Sequence, residues 1–158
     1  MPDQMPPPLV EDERTTLLAL LQYHRESVVR KVEGVSDAEA ARPGVPSGTS
    51  LLWLVQHLTR AESIWVLQRF DGRPGEPWSD DVRTDESLAD SVAAYRAMWA
   101  KVAAVVDAEP DLGALCREMG DRPQVSLRWV LMHLLEETAR HAGHADIIRE
   151  LIDGQTGR

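Results

Sequence analysis

The sequence predicts an all-α protein, a four-helix bundle. Four segments carry apolar residues at the three-and-four spacing of amphipathic helices. Loops rich in proline and glycine separate them, and no run alternates apolar and polar residues with the β-branched enrichment of a strand.

The first helix is expected over residues 9–32, where Leu17, Leu18, Leu21, Val28 and Val32 keep the helical spacing. The proline-rich lead before it cannot be helical, and residues 1–8 are expected to be flexible. The stretch SDAEAARPGVPSG reads as a breaker region ending at Thr49 or Ser50, either of which fits as N-cap of a second helix over residues 51–70. DGRPGEPWSDDVRT is a loop, and Trp78 within it suggests packing back on the body. A third helix is expected over residues 85–107 with Thr84 as cap. EPDLGALCREMGDRPQ is a further loop with room for one helical turn. Ser126 is placed to cap a last helix over residues 127–153, and Gly154 stands where a C-terminal glycine belongs. The loops between the first and second helices and between the third and fourth are long for a bundle, so an overhang or crossover is expected there.

At 158 residues the chain is expected to form a single domain, residues 1–158. A formal net charge of -9 with no basic block excludes nucleic acid and anionic membranes as general partners. Cys116 is the only cysteine, so no intrachain disulfide can form and a reducing compartment fits. The start has no basic n-region or apolar h-region, and no run of about 18 apolar residues occurs, so a soluble cytoplasmic protein is expected.

The last helix concentrates the chemistry in HLLEETARHAGHADIIRE. At about 100° per residue, with Leu127 at zero, Leu131, Leu134, Thr138, Ala145 and Ile152 fall within roughly 40° of zero and face the core. His141 falls near about −40°, Glu137 near about −80°, His144 near about −100° and His133 near about −120°. All four line one flank of the apolar stripe. Glu136 lands about 180° away and should be solvated. Glu137 and His141 are one turn apart, so their side chains meet and could close on a single ion. The bland alternative is a partly buried histidine hydrogen-bonded to Glu137 as an ordinary intrahelical pair.

A catalytic zinc-type site needs three protein ligands and an open position. With Leu54 at zero, the second helix places His57 near about −60°, at the border of its apolar face. Alone, it reads as a satisfied core histidine. Glu62, near about 80° on the other border, reads as one half of an interhelical salt bridge. His24 reads as structural or exposed, His133 as a group orienting Glu137, and the tryptophans at 53, 65, 99 and 129 as core packing.

SGTSLLWLVQHLTRAE followed by RWVLMHLLEETARHAGHADIIRELIDG resembles the DinB/YfiT-like metalloenzyme superfamily. Within it the chain is similar to actinobacterial DinB-like proteins and to the N-terminal domain of mycothiol-dependent maleylpyruvate isomerase. The resemblance implies a four-helix bundle holding a divalent metal through one histidine of the second helix and two residues a turn apart on the last. His57, Glu137 and His141 stand at those positions. His144 falls where many relatives have glutamine, which implies a supporting role. The sequence lacks the isomerase's further C-terminal domain, so isomerisation of maleylpyruvate does not carry over.

The resemblance thus implies a metal-dependent enzyme that activates a low-molecular-weight thiol, mycothiol or similar, for transfer to or isomerisation of a small electrophile. His133 and His144 are the candidates for moving the proton, Cys116 is not needed, and a homodimer is expected. Zinc fits the imidazole and carboxylate donors, as do Ni, Fe and Mn. Two other readings stay open: a hydrolase using metal-activated water, and a non-catalytic metal-binding or stress-related bundle.

Overall fold

A computed structural model describes residues 4–156 of the chain. Residues 1–3 of the lead expected to be flexible lie outside the described residues, and residues 4–8 form no regular element.

Helix α1, Glu13–Val32, starts later than the apolar pattern alone suggests because Asp12 caps it, accepting from the Thr15 amide at 2.8 Å. The breaker region that follows is not all loop. Ser36 and Glu39 close a capping box and start the short helix α2, Asp37–Ala41. Ser50 caps helix α3, Leu51–Glu62, through the Trp53 amide at 3.1 Å. The expected continuous helix over residues 51–70 instead changes its hydrogen-bond pattern, and Ser63–Phe70 is a π-helical segment. Helix α4, Leu88–Ala108, is capped by Ser87 and not by Thr84. The physical reason is Gln56, which binds both the amide and the carbonyl of Arg83 and so commits that backbone to α3 before a helix can start. Helix α5, Leu127–Asp153, begins on Ser126 and ends on Gly154 at φ 75, as the sequence predicts.

The core fixes the helix directions. One apolar cluster joins the N-terminal parts of α1 and α5 (Leu21, Leu127, Leu131) to Phe70 and to Val106 at the far end of α4. The other joins the opposite ends, with Val32, Leu51, Leu88 and Ile148. Helices α1 and α5 therefore run parallel, and α3 and α4 run together against them. A parallel α3–α4 pair requires a crossover, and residues 71–87 make it. The sequence placed the long connections elsewhere. Of those, one is occupied by α2, and the other folds back through an isolated bridge between Leu115 and Ser126. No strand forms among the described residues.

Between the two clusters lies a polar layer. Arg25 sits one turn from Leu21 and from Val28, and its guanidinium binds both oxygens of Glu62 at 2.7 and 2.8 Å. Burial raises the Glu62 carboxyl to about 7, while this two-pronged contact with the guanidinium works for its charge. The salt bridge expected of Glu62 is present, and its partner is on α1.

Candidate metal centre

Helix α3 and helix α5 bring His57, Glu137 and His141 to one point. His57 Nε2 lies 2.8 Å from Glu137 Oε1. His141 Nε2 lies 3.1 Å from the same oxygen. Ligand atoms from the three residues all fall within 4.8 Å of one another. The one-turn spacing stacks Glu137 over His141, and the inward border position of His57 aims it across the α3–α5 contact.

Both histidines are buried, and Glu137 is half-buried. Burial, reinforced by the neighbouring His57, pushes the His141 imidazole down to about 4 despite Glu137. Burial also resists charge on Glu137, but the contacts and charges of the two histidines outweigh it and hold that carboxyl below its ordinary value. A neutral imidazole and an ionised carboxylate are the forms a divalent cation needs. Nδ1 of His57 is buried with no hydrogen-bond partner in the protein. Both histidine Nε2 atoms converge on a single Glu137 oxygen, and two imidazoles with a carboxylate are a donor set that a divalent ion takes.

Aromatic rings enclose the cluster. Trp53 stacks on His57 at 4.5 Å and stands edge-on to His141 at 5.9 Å. Trp78, from the crossover loop, meets His57 edge-on at 5.1 Å. That loop is pinned by Gln56 and by the Trp53 indole, which donates to the Asp80 carbonyl at 2.8 Å. Trp78 thus packs back on the body as its place in the loop suggests. The expectation that all four helical tryptophans are core packing needs correction. Trp99 is buried, but Trp53 and Trp65 are only partly so, and Trp129 is 43% exposed. The apolar pattern marks Trp129 as helical but not which flank it occupies, and there it stacks on His133 at 5.0 Å.

His133 does not orient Glu137, contrary to expectation. The Glu137 oxygen is turned toward His57 and His141, while His133 lies between Trp129 and Trp65 and approaches only the exposed Glu136, at 3.9 Å. His144 does touch the cluster, its Nδ1 lying 3.1 Å from Nδ1 of His141. His24 is half-buried against Tyr23. Cys116 is buried, and burial raises its thiol pKa.

A cavity of about 330 Å³ opens beside the cluster, with His57, Glu137 and His133 in its wall. Arg69 and Arg122 also line it, together with Trp65 and Trp78. Nothing local in the sequence links Arg69 to Arg122, which lie on different elements far apart in the chain.

Fold and site together define a DinB-like helical bundle whose α3 and α5 carry a histidine–glutamate–histidine group able to hold a metal ion. The chain belongs to the mycothiol-S-transferase family, whose model matches residues 16–154. Its fold is also similar to that in the crystal structure of the conserved protein of locus from Enterococcus faecalis. The match has a TM-score of 0.71 and 16% identity, covering 92% of this chain and 100% of that one. At that identity the likeness shows the fold alone. No curated protein matches the sequence. Among the described residues no helix is long and apolar enough to cross a membrane.

Proposed function

We propose that this protein is a metal-dependent S-transferase that joins a low-molecular-weight thiol, mycothiol or a close relative, to a small electrophile. The observation that carries the reading is the His57, Glu137 and His141 cluster in the wall of an open cavity, in a chain of the mycothiol-S-transferase family. The three residues would hold a divalent ion, zinc first among Zn, Ni, Fe and Mn. Bound there, the ion supplies a Lewis acid that favours the deprotonated form of a thiol in the cavity.

The chain's own groups do the rest. His144, on the far side of the His141 ring, accepts from its Nδ1–H and so directs Nε2 toward the site. His133 lines the same cavity as Glu137, with no strong partner of its own, and takes the thiol proton. The sulfur then bonds to the electrophilic carbon, and the leaving group departs with the electron pair of the bond it gives up. Trp53, Trp65 and Trp78 limit water around the reacting sulfur. Cys116 is buried with its thiol pKa raised, so the nucleophilic sulfur comes from the substrate.

The test is conjugation of purified mycothiol to a chromogenic chloronitroarene by protein loaded with each metal in turn. Thiol transfer that depends on the metal and disappears in His57→Ala is expected. Absence of transfer with all four metals, or an unchanged rate in His57→Ala, overturns the proposal.

A further inference from the structure

Several arginines of this acidic chain have a carboxylate partner. Arg25 is paired with Glu62, Arg83 with Glu86, Arg117 with Asp71 and Arg128 with Glu13. Arg69 and Arg122 have none, nor do Arg30 and Arg60, but those last two lie outside the cavity beside the metal centre. Neither Arg69 nor Arg122 makes a side-chain hydrogen bond or ion pair among the described residues, and both line the cavity that contains His57 and Glu137. They are also close to one another: the charge of Arg122, after burial, is a cause of the lowered Arg69 pKa. Two uncompensated guanidinium groups facing one cavity repel, and an anion between them relieves that repulsion.

The placement is built into the fold. The Arg69 guanidinium lies 3.9 Å from the Trp65 ring centroid, which fixes its plane at the cavity wall. The loop carrying Arg122 is tied to the end of the π-helical segment by the Glu118 amide, which donates to the Arg69 carbonyl at 2.9 Å, and by the Arg117 amide, which donates to Phe70. The remaining wall is apolar and aromatic, with Ala61 and Ile64 beside Trp65, Trp78 and His133. Among the described residues the only carboxylate lining the cavity, Glu137, is engaged with two histidines.

We infer that Arg69 and Arg122 form a carboxylate subsite, and that the electrophile accepted in this cavity carries a carboxylate on a flat unsaturated body that stacks among the tryptophans. The assignment rests on the S-transferase reading for the word electrophile, but the subsite itself is testable by binding alone. A suitable probe pair is para-chloro-meta-nitrobenzoate and its carboxamide, which share shape and leaving group and differ in charge. In the reaction the thiol sulfur would bond to the chlorine-bearing carbon, chloride would leave with the bonding pair, and the thiol proton would pass to His133.

The experiment titrates both probes into zinc-loaded protein by calorimetry, comparing wild type with Arg69→Gln, Arg122→Gln and the double variant. Arg42→Gln is the control, since Arg42 is exposed and outside the cavity. Wild type is expected to bind the benzoate at least about tenfold more tightly than the amide, the scale of a hydrogen-bonded charge pair. The double variant should lose the preference and Arg42→Gln should keep it. If Arg69→Gln folds poorly, Arg122→Gln, on an exposed side chain, still must reduce the ratio. Equal binding by wild type, or a preference that survives the double variant, overturns the subsite, the latter result placing the carboxylate on the metal instead. A preserved subsite in protein that conjugates mycothiol to neither probe with any of the four metals overturns the S-transferase reading and leaves the subsite standing.

Discussion

Replacing Glu62 by glutamine should strongly destabilise the core. Glu62 and Arg25 are 1% and 5% exposed and sit between two apolar clusters. Glutamine keeps the volume but leaves the Arg25 guanidinium buried without a counter-charge. Removing one partner of such a pair costs about 3–5 kcal/mol. The amide oxygen still accepts one hydrogen bond from the guanidinium, which restores roughly 1 kcal/mol. The net loss is then about 2–4 kcal/mol, and at roughly 2–4 °C per kcal/mol for a chain of this size the Tm should fall by about 5–15 °C. Thermal and urea unfolding followed by circular dichroism measure it. The double variant Arg25→Met with Glu62→Leu should recover most of the loss, because an apolar pair of similar volume replaces the ions without stranding either. A Glu62→Gln protein within about 1 kcal/mol of wild type would show that burial keeps Glu62 neutral and that no ion pair spans α1 and α3.

The metal-free protein should lose stability as pH falls from 6.5 toward 4, because the His141 imidazole is pushed down to about 4 in the fold and the unfolded chain takes up the proton first. Depressed Glu137 adds to the loss at the acid end, and Tm against pH should be flatter in His141→Asn; an equal slope contradicts the assignment. Ser126→Ala removes the cap that α5 uses and should cost about 1 kcal/mol in urea unfolding. His144→Ala should weaken metal affinity roughly 10–100-fold in chelator competition, the effect of losing a ligand's orienting partner. His133→Ala should leave metal affinity unchanged and slow thiol transfer.

The sequence discloses much of this architecture because the relevant signals are local. Apolar spacing locates the four long helices, and Ser50, Ser126 and Gly154 mark their ends through side chains that act within one turn. The same projection puts Glu137 and His141 inward and Glu136 outward, which is how they lie. What escapes is non-local or masked. Prolines and glycines downstream hide the Ser36–Glu39 capping box. A count at a fixed angle per residue cannot register the change to π-helical bonding at Ser63. The start of α4 is set by Gln56 on another helix, and His133 is turned from Glu137 by Trp65 and Trp129, contacts no spacing rule contains. Arg69 and Arg122 meet only through the fold.

The central claim is that His57, Glu137 and His141 hold one divalent ion that a thiol can reach. The most direct measurement is the absorption spectrum of cobalt-substituted protein titrated with mycothiol. One cobalt per chain and a new sulfur-to-cobalt charge-transfer band on adding thiol, both lost in His57→Ala, are predicted. Cobalt that does not bind, or a bound-cobalt spectrum that thiol leaves unchanged, contradicts it.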